Sequence, residues 1–222
     1  MRHLRLVDEE PADGPFREGP LPQRLPHGRH GIPRKVVHDH QRVRLLTGMA
    51  EALAKHGYAG VTTTRVSKCA GISSGTYYKH FGNLWDCLLA SYVVTSERLC
   101  ARIEAACAER DPRSAPLEAG IEAALEFCAA EPASALLLST QPPMEGGAVV
   151  AARRQLIGRL AGMLRKSRDG GGEGDRPPGL DERMIDATLA FVGARVSAGQ
   201  AERLTELGPE LLAILTATRR AA

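Results

Sequence analysis

The sequence predicts an all-α protein: an N-terminal unit of three helices, a long connecting helix, and a helical C-terminal part. Three observations carry this reading. Apolar residues recur three and four positions apart over stretches of helical length, as one face of a 3.6-residue helix requires. Capping residues, Gly and Pro punctuate those stretches. Period-two alternation of β-branched residues, the mark of a half-buried strand, is nearly missing.

The elements follow in order. Residues 1–36 hold six of the 14 prolines (Pro11, Pro15, Pro20, Pro22, Pro26, Pro33) and no apolar periodicity. Such a segment buries too little surface to offset its ordering entropy, so a flexible basic arm is expected. From Asp39 to His56, Val43, Leu46, Ala50 and Leu53 line one helical face, and Gly57 is a suitable stop. Thr62 can cap a short second helix over 63–70, ended by Gly71. Ser73 or Ser74 opens a third helix to about His80, and Asn83 can cap a long fourth one over 83–109. Further helices are expected at 115–130, 133–139, 145–168, 181–198 and 201–219, with a Gly- and Pro-rich loop at Ser167–Gly179. The domains are then the arm (1–36), the three-helix head (37–82) and the body (83–222).

Composition excludes several classes. The 222 residues carry a net charge of +3. The longest apolar stretches are far short of the about 20 residues of a membrane helix. Asp8, Glu9 and Glu10 stand where a secretory signal needs an apolar run, so a cytoplasmic protein is expected. Five cysteines without a C-x-x-C pair indicate neither a zinc site nor a disulfide framework. The His27/His30 and His38/His40 spacings could hold a metal but do not form a recognised ligand pattern, so no metal and no cofactor is expected. No phosphate-cradling loop is present, and every His lies in the arm or head, away from any nucleophilic constellation, which speaks against an enzyme. The charge is segregated. Residues 1–82 contain 13 Lys+Arg and seven Asp+Glu, a net of +6 with all seven His; residues 83–222 contain 16 and 19, a net of −3. A basic head joined to an acidic body suits a polyanionic partner at one end.

Two short helices joined by Ala70-Gly71-Ile72-Ser73 have the helix-turn-helix layout, in which the second helix lies in the DNA major groove. Ile72, Val66 and Phe81 would form its small core. The run VTTTRVSKCAGISSGTYYKHFGNLWDCLLASY over Val61–Tyr92 resembles the signature of the TetR family of transcriptional regulators. Thr62, Val66, Ala70, Gly71, Ile72, Ser73, Gly75, Thr76, Tyr78, His80 and Phe81 match the family pattern, and Leu46, Ala50, Leu53 and Gly57 fit the first helix. The resemblance implies a homodimer on a palindromic double-stranded DNA operator, released when a small-molecule effector enters a C-terminal pocket.

Carried over residue by residue, it implies DNA contacts from Thr62, Ser73, Ser74, Gly75, Thr76, Tyr78 and His80, mostly to phosphate. Lys79 falls at the variable position that faces bases. Tyr77 replaces the usual aliphatic residue and reads as core or as groove contact. Two departures stand out. Leu84 occupies the position of a Lys that reaches the DNA backbone in most relatives, leaving the helix dipole and Asn83 to attract phosphate there. Arg65 stands where relatives often have an acid, and is expected to replace the missing lysine. Arg24, Arg29, Arg34 and Lys35 either lie along the minor groove or belong to a solvated leader.

In the body, Ile185, Leu189 and Val192, with Val196, line one stripe, and Leu204, Leu207, Leu211 and Leu215 another. Hydrophobicity alone fits burial within one subunit or across a two-fold axis; the resemblance implies a dimer interface. Tyr92 and Phe127 are the candidate pocket residues, since few aromatics lie in this part. An alternative function is a helical homodimer of the same fold acting through protein partners with weak or no DNA binding, for which Leu84 is the supporting feature.

Overall fold

The computed structural model describes residues 33–109, 116–168 and 177–216. Residues 1–32 of the expected arm over 1–36, and residues 169–176 of the Gly-rich loop, lie outside them. Every regular element among the described residues is helical: α1 (Arg34–Gly60), α2 (Thr63–Ala70), α3 (Ser74–His80), α4 (Leu84–Glu109), α5 (Pro116–Ala130), α6 (Pro132–Ser139), α7 (Gly147–Arg168), α8 (Leu180–Ser197), a 3-10 helix (Ala201–Leu207) and α9 (Gly208–Thr216). By compactness the chain divides inside α1, into residues 1–43 and 44–222. The described part of the first unit is the start of α1, where the His38 ring lies 3.4 Å from the Asp39 carboxylate.

Three expected boundaries shift. Helix α1 begins at Arg34 rather than Asp39, so Arg34, Lys35 and Val36 are its first turn and not part of an arm. The expected stop at Gly57 is present as an interruption, with φ 64° and ψ 176°. The described part of the stretch 201–219, which ends at Thr216, is not one α-helix. The segment starts as a 3-10 helix over Ala201–Leu207, and at its end the Gly208 N–H bonds the Thr205 carbonyl, to which Pro209 has no N–H to give.

From Arg44 on, α1 buries Leu45, Leu46, Met49, Ala50, Ala52 and Leu53. Gly48 admits α2 to backbone contact: a Cβ there would lie 2.7 Å from the Ala70 nitrogen and 2.9 Å from the Val66 carbonyl oxygen. Helix α4 carries on this core, and the Ser91 hydroxyl donates to the Leu46 carbonyl at 2.8 Å. The indole of Trp85, the single tryptophan, rests on the α6–α7 loop, where a Cβ on Gly146 would come within 2.8 Å of the ring.

In the body α5 lies against α4, the 3-10 helix and α9; α6 lies against α8; α7 lies against α4 and α8. Arg153, 5% exposed, ties three of these together. It donates to the Leu138 carbonyl at 3.0 Å and to Asp186 at 2.5 Å. A buried guanidinium is tolerated only with such partners, because desolvation otherwise costs several kcal/mol. Tyr92 donates to the same Leu138 carbonyl at 3.4 Å. Nearby, burial pushes the Tyr58 hydroxyl up to about 12, with Tyr92 adding to the shift and Arg153 opposing it.

The apolar stripes of the last helices are spent inside the chain. Ile185, Leu189, Val192, Leu204, Leu211 and Leu215 are buried in the single chain, and Leu207 packs half-buried on the same core. The six buried side chains are already packed within one subunit, which leaves them little surface to give a partner, while Leu207 keeps part of its surface open. Tyr92 and Phe127 are likewise fully buried core, with the Arg98 guanidinium 5.5 Å over the Phe127 ring.

Helices α6 and α8 meet at Gly193, where a Cβ would fall 2.3 Å from the Ser139 Oγ and 2.7 Å from its Cβ. Gly193→Ala is expected to cost about 1–3 kcal/mol through overpacking, seen as a fall of about 2–4 °C per kcal/mol in the thermal midpoint. Adding Ser139→Gly should recover part of that loss, and an unchanged single-variant midpoint would contradict the packing.

Candidate nucleic-acid interface and effector cavity

The head presents α3 outward because its ends and one side chain are pinned. The Thr62 hydroxyl accepts the Arg65 N–H at 3.3 Å, capping α2. Gly71 closes that helix at φ 61°, its N–H going to the Lys68 and Ser67 carbonyls. Ser73 caps α3 by accepting from the Thr76 N–H at 3.2 Å, and the two hydroxyls lie 3.0 Å apart.

Tyr77 resolves its two readings in favour of core. It is fully buried, and its hydroxyl donates to the Asn83 carbonyl at 3.0 Å. Its ring meets Tyr78 edge-on at 5.3 Å and Phe81 at 5.9 Å. Burial raises its pKa well above the usual phenol value, so it acts as a neutral anchor. Val66 and Phe81 are buried with it, and Ile72 packs half-buried on the same cluster.

Around this anchor, Thr62, Arg65, Ser73, Ser74, Gly75, Tyr78 and Lys79 are exposed, while Thr76 and His80 are half-buried. Tyr78 is 58% exposed and its hydroxyl lies 3.4 Å from the Thr63 hydroxyl. A Cβ on Gly75 would meet nothing within 4 Å, so the free chain does not need a glycine there. That open space is what a closely approaching backbone would occupy.

The start of α4 differs from its expected role. Leu84 is half-buried against the core. Asn83 is committed locally: its Oδ1 accepts the Asp86 N–H at 3.0 Å and its Nδ2 donates to the Asp86 carboxylate at 2.8 Å. The Asn83 side chain is therefore a helix cap, and an acid stands beside it. Arg65 is exposed and donates from Nη1 to the Gly60 carbonyl, one of the five N–H donors of its guanidinium.

Arg44 holds the turn and was not legible from local pattern. Its Nη2 donates to the Ala70 carbonyl at 2.5 Å and to the Gly71 carbonyl at 3.0 Å. Those carbonyls end α2 and are otherwise short of partners.

A cavity of about 120 Å³ lies among α4, α5, α7, α8 and α9. Its wall includes Leu99, Ile103, Leu125, Leu160, Leu189 and Leu211, and none of its lining residues is charged. Tyr92 and Phe127 are not among them. Ile185, Val192 and Leu215, also expected at a dimer interface, line it as well.

Against known proteins, the sequence profile described as bacterial regulatory proteins, tetR family, matches residues 45–90. No curated protein matches the chain in sequence. Among solved structures, the fatty acid degradation regulator FadR from Bacillus halodurans is similar at 19% identity, covering 82% of this chain and 97% of that one, with a TM-score of 0.67. FadR from Bacillus subtilis, solved in complex with stearoyl-CoA, is similar at 22% identity, with coverages of 79% and 97% and a TM-score of 0.65. The regulator PfmR from Thermus thermophilus is similar at 19% identity, with coverages of 81% and 98% and a TM-score of 0.57.

The Arg44 clamp gives a direct test. Arg44→Met keeps the aliphatic stem but removes two charge-assisted bonds, each worth about 1.5–3 kcal/mol at most. The expected outcome is accelerated amide hydrogen exchange over 63–72, with the α7 and α8 amides unaffected.

Proposed function

We propose, from the premise that residues 45–90 make this chain a member of the tetR family of bacterial regulatory proteins, that it is a homodimeric repressor. It holds a palindromic operator through α3 and leaves it when a small molecule occupies the body. The observation that carries the reading is the division of labour on α3. Tyr77 alone is buried, and Ser74, Tyr78 and Lys79 stand exposed around it. A helix pinned by one neutral aromatic and studded with hydroxyl and ammonium donors suits a groove floor and its phosphate walls.

Ser74, Gly75 and Thr76 open the helix toward phosphate, Tyr78 adds a phenolic donor, and Lys79 reaches base edges. Thr62, Ser73 and His80 complete the backbone contacts. Arg65, exposed on α2, supplies the phosphate contact that Leu84 cannot give from α4. The two-fold contact is assigned to the exposed face of α8, where Ala187, Ala190 and Ala194 recur at helical spacing. Small residues let helices approach closely.

Sequencing DNA fragments enriched from a random pool by the full chain should yield a palindromic motif; no enrichment at low salt favours the reading in which the dimer acts through protein partners. With that operator, Lys79→Ala is expected to weaken binding by about 1–3 kcal/mol and relax the preference at one base. Arg65→Ala is expected to reduce the slope of log K against log salt by about 1. An unchanged slope would remove Arg65 from the interface. Sedimentation of a monomer at micromolar concentration would contradict the dimer.

A further inference from the structure

The size and lining of the body cavity define what can fill it. Its volume is about 120 Å³. A dry apolar cavity of about 150 Å³ in another protein holds one benzene molecule. An eighteen-carbon acyl chain, like that in the Bacillus subtilis neighbour, has three times the carbons of that ring and so needs several times the space found here.

Chemistry narrows the occupant further. The lining has no charged side chain, and its polar side chains are limited to Cys107, Cys128, Ser167 and Thr188. Thr188 donates its hydroxyl to the Met184 carbonyl of its own helix at 2.8 Å. The Cys107 thiol donates to the Pro116 carbonyl at 3.2 Å. Desolvation, and then Glu131, push the Cys128 thiol up to about 12, so it stays a neutral wall atom rather than a nucleophilic thiolate. A carboxylate or phosphate drawn into such a space would shed its water with no cation to replace it. The wall also has little room to spread on one side. A Cβ on Gly120 would stand 3.2 Å from the Cys107 Sγ and 3.3 Å from the Ile103 Cγ2, so α4 and α5 are in close contact there.

We propose that this cavity binds one compact, uncharged, hydrocarbon-like molecule of the size of a substituted benzene, and does not take a long acyl chain. The inference rests on the reading of the chain as a regulator released by an effector, and names the class of that effector. Binding is driven by apolar contact, so affinity follows the fit of the ring to the wall rather than any polar recognition.

Titration calorimetry of the full-length protein with toluene tests it. A saturable heat with a negative heat-capacity change is expected, together with a raised melting temperature of the wild-type protein. Ala124→Leu on α5 and Thr188→Leu on α8 both add bulk to the lining. Each, once shown to melt cooperatively, should weaken toluene binding at least about tenfold and leave binding to an operator fragment unchanged. No toluene binding, or binding that neither variant weakens, overturns the proposal, as does stearoyl-CoA binding that both variants abolish. Operator release is read separately. If toluene binds without releasing DNA, the effector role fails and the ligand class stands. If stearoyl-CoA releases DNA and toluene does not bind, the ligand class fails and the regulatory reading stands.

Discussion

Backbone contact between α1 and α2 at Gly48 sets the geometry on which the head depends. With hydrogen in place of a Cβ, the Ala70 nitrogen and the Val66 carbonyl come to distances that any other residue would block. Once α2 lies that close, Arg44 one turn earlier reaches the two carbonyls that end it. Gly71 then turns the chain, and Ser73 starts α3 at a determined angle. Tyr77 closes the arrangement by reaching past Phe81 to the Asn83 carbonyl, which fastens α3 to the beginning of α4. The outward face of α3 is thus a consequence of packing on its other side. The hydroxyls and the lysine on it need no partner within the chain to be held in place.

The body obeys a different constraint. Its helices are Ala- and Leu-rich and carry little side-chain specificity of their own, so a few polar or steric fixtures define their register. Arg153 joins the end of α6 to α8 through Leu138 and Asp186. Gly193 lets α8 settle on Ser139. On the surface, Arg159 pairs with Glu104 at 2.8 Å and Arg165 with Glu182 at 3.0 Å, which are exposed pairs worth little each. Between these fixtures the aliphatic side chains line the cavity.

Local signals were legible in the sequence and long-range ones were not. Thr62, Gly71 and Ser73 announce the ends of α2 and α3 because capping is settled within four residues. The family pattern across Val61–Tyr92 located the same elements, and the profile match over residues 45–90 agrees. By contrast, the Arg44 clamp spans 26 residues, and nothing near Arg44 foretells it. The stripe through Leu204, Leu207, Leu211 and Leu215 keeps a face whether its first turn is 3-10 or α, since a spacing of three suits the tighter helix. Periodicity therefore missed the change at Pro209. It also could not say where a stripe is buried. Ile185, Leu189 and Val192 look the same whether they face a second copy or a cavity of their own chain, and they are buried along that cavity. The aromatic residues misled for a related reason. Tyr92 and Phe127 are large enough to fill space completely, so they sit where the core is densest, and the cavity is walled by smaller aliphatic groups.

Trp85 has a consequence for observing this molecule. It is the single indole of the chain, about two-fifths exposed, seated at the first turn of the helix that leaves the head and resting on the loop that leads into α7. Ultraviolet emission excited at the red edge of protein absorption therefore arises from one place. That place adjoins elements of both the reading end and the cavity end, so the native chain carries its own optical gauge of their junction, and no dye need be attached to follow it.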